Sequence, residues 1–379
     1  MSGEKDIWAI SPSKLKEVIK AVYKGSKISL LIKGAIGIGK STLIREVAEE
    51  IANEMKLKFI DLSTITDLEA IEMLGNLDDK FLFWSVPLPN IDAVDFLGKL
   101  CEENGFVVWK PPIKIALFQK AKNGIIFLDE LNMVSDQTVR HLAQRLLLDK
   151  ELGNVRNPNL MVISACNRAS DTMHVEELGS RAKNRVCILE MTPYPIKEFA
   201  KFMQKKYGDA FEKKILGFIL AYPMYSQTLD EAEDILENFA TRRSWEFLGR
   251  LLYDCRDLDV ARQLARGCLG KDIAIKFVSF LEIKPIPPKD LIQKPELLET
   301  VKPEVAIYSV ITLADSINKE IISLESAKKL IDYLVKNNRS LLMMLWIALE
   351  RKYTQEIIRD LTFDEALWKE IEKMVEFFT

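Results

Sequence analysis

Short apolar runs rich in β-branched residues alternate, through the first half of the chain, with stretches whose apolar residues recur every three or four positions. The runs are ISLLIK at 28–33, KFIDLS at 58–63, GIIFLDE at 124–130, LMVISACN at 160–167 and VCILEM at 186–191. Continuous apolar character marks strands buried on both faces, as in parallel sheets. The stretches between them read as helices, most clearly at 42–55 and 136–149, with another at 12–24 ahead of the first run. Five such strands alternating with helices predict an α/β fold, an αβα sandwich around a five-stranded, mainly parallel sheet.

The pattern changes after Met191. Strand-like runs stop, and Thr192-Pro193-Tyr194-Pro195 opens a series of helical segments near 195–206, 209–221, 242–254, 257–268 and 271–282, each with apolar residues at three- and four-residue spacing. The proline-rich KPIPPKD at 284–290 interrupts that series, because proline breaks helical hydrogen bonding. Further helices follow from about Pro303. The expected organisation is a core over 1–191, a helical domain over 192–290 and a C-terminal helical extension over 291–379. One interval, 76–112, departs from strand–helix alternation: two aromatic, strand-like pieces, FLFWSVPLP and FVVWKPP, flank a possible helix at 91–103. It reads as an insertion on the rim of the sheet.

Composition narrows the functional classes. The chain has 379 residues, 48% hydrophobic and 29% charged, which fits soluble globular units rather than disorder. A formal net charge of −3 gives no general attraction to polyanions, so nucleic acid is a possible but not a favoured partner. Cys101, Cys166, Cys187, Cys255 and Cys268 lie far apart with no CxxC pair, arguing against a zinc site or disulfide framework. They read as buried thiols. His141 and His174 have no neighbour at metal-ligand spacing. No segment approaches the ~20 apolar residues of a membrane helix, and the first residues hold no apolar run of secretory length. The expectation is a cytoplasmic protein without membrane contact.

The strongest chemical signal is GAIGIGKS, Gly34 to Ser41, between a predicted strand and a predicted helix. That is the context G-x-x-x-x-G-K-[ST] requires. Glycines let the backbone wind around phosphates with its N–H groups inward, and the following helix adds the positive end of its dipole. Gly34, Ala35, Gly37, Ile38, Gly39, Lys40, Ser41 and Thr42 are the expected ATP-binding residues, with Lys40 on the β and γ phosphates. Ser41 and Asp129 are the expected Mg²⁺ ligands. The second signal is GIIFLDELN at 124–132, a buried strand ending in two carboxylates. Asp129 can hold the metal shell while Glu130 polarises the attacking water, and phosphoryl transfer needs little beyond such positioning and charge neutralisation.

These two motifs, with Asn167 at the end of VISACN, the arginine of KNRV and the FATRRSW segment, resemble AAA+ ATPases of the MoxR-like group over most of the chain. The resemblance implies an AAA+ core, a helical lid after residue 191 and a ring of subunits, usually a hexamer. It implies that Asn167 orients water against the γ-phosphate and that Arg185, with Arg181 second, reaches the neighbouring subunit's nucleotide. Arginine suits that role because it stays charged and presents several donors. Arg243 resembles the second sensor, coupling the lid to nucleotide state, while Arg242 replaces a proline frequent in relatives and leaves open which of the two reaches phosphate. The region Ile7 to Ser11 corresponds to one that lines the adenine pocket in relatives. VVWKPP at 107–112 and GCLGKDIAIKFVSFLEI at 267–283 also resemble family segments, and we read them as packing features, with Trp109 and Trp245 as buried anchors. The interval 76–112 falls where relatives face a central pore, making Phe81, Phe83 and Trp84 candidates for gripping substrate.

The expected function is a Mg-ATP-dependent motor of the MoxR-like chaperone type that remodels a protein partner, often one with a von Willebrand A domain. The alternative on the same core is a nucleic-acid-stimulated helicase or translocase. A nucleotide-gated module without turnover is disfavoured by Glu130.

Overall fold

The computed structural model describes residues 9–152, 155–167, 185–208, 210–228, 238–349 and 352–354. Contacts divide the chain into two compact units, Met1–Pro193 and Tyr194–Thr379.

Ten strands are described in the first unit: β1 (Leu30–Lys33), β2 (Lys58–Asp61), β3 (Lys80–Pro87), β4 (Lys99–Glu103), β5 (Phe106–Lys110), β6 (Gly124–Asp129), β7 (Glu151–Leu152), β8 (Val155–Arg156), β9 (Met161–Cys166) and β10 (Cys187–Glu190). Six of them form one sheet in the order β10-β1-β9-β6-β3-β2, and every neighbouring pair is parallel. All six residues of β9 and the first five of β6 are buried, as two-faced burial of a parallel sheet demands. Helices α1 (Pro12–Lys24), α2 (Lys40–Glu54), α3 (Asp67–Met73), α4 (Ala93–Leu97), α5 (Ile113–Lys120) and α6 (Gln137–Asp149) accompany it.

The sheet has six strands, not the five expected. The additional one is β3, whose residues we read from sequence as a rim insertion with pore-facing aromatics. Phe81, Phe83 and Trp84 are 0%, 1% and 9% exposed, on a strand paired with β2 on one side and β6 on the other. Phe83 packs on Phe59 with ring centroids 5.9 Å apart, and Trp84 stacks on Phe118 at 6.2 Å. FLFW is a short continuous apolar run like those of its neighbours, a pattern that a strand buried on both faces fits. These side chains are core, not substrate grips. Where a helix at 91–103 was expected, α4 stops at Leu97. Gly98 ends it with φ +78°, and a Cβ there would lie 2.0 Å from the Lys110 carbonyl oxygen, so the chain crosses itself closely at a residue only glycine tolerates. The chain then forms the antiparallel β4–β5 hairpin, with Phe106, Val107 and Trp109 exposed. Trp109 is therefore no buried anchor.

α1 and α2 are joined by a ladder of charges at four-residue spacing on both helices. Lys16 pairs with Glu46 and Glu50, Lys20 with Glu50 and Glu54, and Lys24 with Glu54, at 2.7–3.0 Å.

In the second unit the described helices run Ile196–Tyr207, Lys213–Ala221, Arg242–Leu252, Leu258–Leu269, Lys271–Leu281, Pro288–Gln293, Pro303–Asn318, Leu324–Asn337 and Arg339–Ala348. Two apolar clusters hold them, one centred on Phe218, Trp245 and Phe277 and one on the three long C-terminal helices. Trp245 is fully buried and its indole N–H donates to the Tyr225 carbonyl at 2.9 Å, the partner a buried indole needs. The five cysteines are free, but only Cys166 is buried, and Cys187 is exposed. The reading of all five as buried thiols is corrected accordingly. Among the described residues no helix is long and apolar enough to cross a membrane.

Two outcomes test this packing. Phe83→Ala should destabilise the protein by about 3–5 kcal/mol, as a large aromatic lost from a close-packed core does; chemical unfolding measures it, and an unchanged midpoint would return Phe83 to the surface. The Glu50 carboxyl is held below its usual range: burial works against ionisation, and hydrogen bonds from Lys20 and Lys16 outweigh it. A depressed folded-state pKa contributes stability above the unfolded value, near 4.5, and loses it as pH falls through the folded one. Glu50→Gln should cost about 1 kcal/mol or less at pH 7, and the gap from wild type should shrink in melts taken at progressively lower pH below that value.

Candidate functional site

The carboxyl ends of β1, β9 and β6 lie side by side. Lys33 is in register with Cys166, and Leu128 with Ser164, so the residues that follow, Gly34, Asn167 and Asp129, emerge at one edge of the sheet. Open parallel sheets bind ligands outside this edge.

From β1 the chain enters a loop anchored by Gly34, whose N–H donates to the Cys166 carbonyl at 3.3 Å. Gly37 and Gly39 adopt φ of 72° and 92°. Gly39 is also the N-cap of α2, which has no side-chain cap and no acidic residue in its first turn. The opening amides of α2 thus face the loop's concavity without a carboxylate or hydroxyl competing for them, the arrangement that favours an anion.

Lys40 is the second residue of this construction. Its side chain is buried, and Nζ donates to the carbonyl oxygens of Gly34 at 2.7 Å and Ala35 at 2.9 Å and to Asn167 Oδ1 at 3.0 Å. Three oxygens thus meet the buried amine inside the loop, as a buried polar group requires. Next to it, Ser41 Oγ donates to Asp129 Oδ2 at 2.6 Å. Asp129 Oδ1 accepts from the N–H of Glu130 at 3.0 Å.

Glu130 has φ of 57°, a left-handed conformation that costs a non-glycine residue. It breaks β6 sharply and starts the tight turn Leu131–Met133, closed by Met133 N–H on the Glu130 carbonyl at 2.9 Å. The turn carries Asn132 to the end of β9. Asn132 Oδ1 accepts from Asn167 N–H at 3.2 Å, and its Nδ2 donates to the Asn167 carbonyl at 3.5 Å. Sequence reasoning passed over Asn132, because a side chain that binds backbone 35 residues away leaves no spacing pattern.

The structure therefore brings together Gly34, Ala35, Gly37, Ile38, Gly39, Lys40, Ser41, Asp129, Glu130 and Asn167, with Thr42 on the exposed face of α2's first turn. The other expected residues stand apart. Arg185 is exposed ahead of β10, with Nη1 3.5 Å from Asp149 Oδ1. Arg181 and Ile7 lie outside the described residues. Arg243, in the second unit, is exposed, whereas Arg242 beside it is buried. Arg242 donates from Nη2 to the Tyr194 carbonyl at 3.0 Å and lies over the Phe199 ring at 5.1 Å, while its Nε and Nη1 have no hydrogen-bond partner. Burial pulls its guanidinium down to about 10. Burial likewise pushes the Cys166 thiol up, so the sulfur beside the loop is a poor nucleophile.

Comparison with known proteins agrees with this geometry. Residues 30–188 match the family model described as "ATPase family associated with various cellular activities (AAA)". No curated protein sequence matches the chain. Solved structures similar to it include Caenorhabditis elegans PCH-2 (11% identity, 82% of this chain and 68% of that one, TM-score 0.28). Others are the Thermotoga maritima RuvB Holliday junction branch migration motor (13%, 86% and 87%, TM-score 0.28) and Cdc6p from Pyrobaculum aerophilum (12%, 96% and 84%, TM-score 0.36). Superpositions this loose carry no argument about the chain.

Arg242 gives a prediction of its own. A buried cation without a carboxylate is a net cost to folding, and an apolar side chain of similar length relieves it. Arg242→Met should leave thermal stability at pH 7 unchanged or raise it, as read by melting temperature; a loss of several degrees would mean that the guanidinium is paired.

Proposed function

We propose that residues 30–188, which match the AAA ATPase family model, form an ATPase domain that binds ATP on the 34–42 loop and hydrolyses it with Glu130. The observation that carries the reading is the pair of contacts at the sheet edge, Lys40 to Asn167 and Ser41 to Asp129, which gather a cation, a hydroxyl, an amide and two carboxylates around one anion-binding loop. The loop amides and Lys40 hold the triphosphate. Ser41 Oγ and Asp129 Oδ2 are hard oxygen donors, the ligand class Mg²⁺ takes, and they fit that ion. Bound there, Mg²⁺ supplies charge neutralisation on the phosphate oxygens. Glu130 accepts a proton from the attacking water, and the Asn167 carboxamide orients that water against the γ-phosphate.

The finer reading is a motor of the MoxR-like type. Its subunits assemble into a ring, in which Arg185 reaches a neighbouring subunit's nucleotide, and Arg181, preceding the same strand, is the second candidate for that role. Arg185 is exposed, and among the described residues it pairs with the half-exposed Asp149 at 3.5 Å, a contact given up at little cost. The second unit acts as a lid over 192–290 with an extension over 291–379, and Arg243 at the start of its Arg242–Leu252 helix senses nucleotide. The work is done on a protein partner, for which a von Willebrand A-type protein is the first candidate. Glu130 argues against a binding module without turnover, because it places a second carboxylate directly after the proposed metal ligand at the carboxyl end of β6.

Glu130→Gln should bind ATP normally while turnover falls at least about 100-fold, and Lys40→Ala should lose ATP binding in equilibrium titration. Arg185→Ala should lower turnover by roughly 1000-fold with little change in affinity. Mixing it with Glu130→Gln subunits should restore activity, since each supplies what the other lacks. Mixed rings that form and stay inactive would refute catalysis across subunits. Capture of partners on the ATP-loaded Glu130→Gln protein identifies the substrate.

A further inference from the structure

We propose that Asn132 is a positioning residue for ATP hydrolysis, setting the Asn167 carboxamide by clamping the backbone of residue 167; this rests on the reading of Asn167 given above. The inference starts from a mismatch in chemistry. Asn132 is only 9% exposed, and a buried carboxamide must satisfy two donors and two acceptors. One acceptor and one donor are met by the Asn167 main chain, with Oδ1 on the N–H at 3.2 Å and Nδ2 on the carbonyl at 3.5 Å. A side chain thereby extends the pairing of β6 and β9 one step past the last strand residue, where β9 ends at Cys166.

The position of that step matters. Residue 167 is the first beyond β9, and its backbone has no strand partner of its own. Its side chain nonetheless has to hold Oδ1 at 3.0 Å from Lys40 Nζ. The clamp fixes the Asn167 backbone at both of its polar groups, leaving side-chain torsions as the remaining freedom. Asn132 is in turn held on the tight turn that Glu130 opens with its left-handed backbone. The proposed base and the proposed water-orienting amide are therefore tied to each other through one short turn and one carboxamide. Errors of about 1 Å in such a constellation can cost 100-fold in rate. Lys40 is also held by the Gly34 and Ala35 carbonyls of its own loop, so nucleotide affinity depends on this link less than turnover does.

The test is steady-state ATPase kinetics on the full chain, with Asn132→Leu, which keeps the volume and removes both hydrogen bonds, and Asn132→Asp, which keeps the acceptor for Asn167 N–H. Asn132→Leu should lower kcat about 10- to 100-fold with KM for ATP within about threefold of wild type. Asn132→Asp should fall between the two. Combined with Asn167→Ala, either substitution should lower kcat no further than Asn167→Ala alone, because residues acting through one group are not additive. Should Asn132→Leu fail to fold, the Asn132→Asp single and double variants carry the same comparison. Wild-type kcat in the variants, multiplicative losses in the doubles, or a loss confined to KM would overturn the inference. If wild type hydrolyses no ATP, or Glu130→Gln turns over normally, it is instead the underlying reading that fails.

Discussion

Everything at the sheet edge depends on where the Lys40 ammonium goes. It is buried, so it needs acceptors, and these include two carbonyls of its own loop and the Asn167 carboxamide across the β1–β9 boundary. One charge therefore shapes the loop from inside and ties it to the neighbouring strand. The sheet order makes this possible: β1 is flanked by β9 and β9 by β6, so a loop after the first, an amide after the second and a carboxylate pair after the third meet without any long connection. The parallel arrangement puts all three at carboxyl ends, and the register aligns those ends.

The same edge concentrates the local departures from ordinary backbone. Gly37 and Gly39 have positive φ, as glycine permits, while Glu130 has it without that freedom. Proteins keep such strain where the surrounding structure over-determines it. Here Asp129 accepts the Glu130 N–H, the Leu131–Met133 turn closes on its carbonyl, and Asn132 pins the turn to Asn167. The sharp turn at Glu130 ends the buried strand, and Asn132 joins that turn to the end of β9.

The α/β class was legible in the sequence, and so were the settings of two segments within it, GAIGIGKS between β1 and α2 and GIIFLDE along β6 into a turn. GAIGIGKS and GIIFLDE carry their structural context with them, a strand on one side and a turn or helix on the other, and each depends on local spacing alone. β3 was legible as a strand-like piece but not as a member of the sheet. FLFW reads as a buried strand by the same rule as ISLL, but it sits inside a long interval with the exposed hairpin β4–β5, and its aromatics were weighed as surface groups. What distinguishes the two halves of that interval is burial, 1% for Phe83 against 72% for Phe106, and local pattern does not encode it. Nor could spacing choose between Arg242 and Arg243. Adjacent positions on a helix point 100° apart, so one faces the Phe199 ring and the other solvent.

The Lys–Glu ladder between α1 and α2 shows how such an edge is supported from behind. α2 begins at the anion-binding loop with Lys40 and Ser41 and ends at Glu54, where the ladder grips it. Its buried residues, from Leu43 to Ala52, fix it to the sheet side, but apolar packing alone leaves rotation about the helix axis weakly specified. Three lysines on α1 meeting three glutamates on α2 at matching four-residue intervals define that rotation. Each exposed pair stabilises by little. Their joint effect is to specify one angular setting of α2, and with it the direction in which the amides of its first turn point.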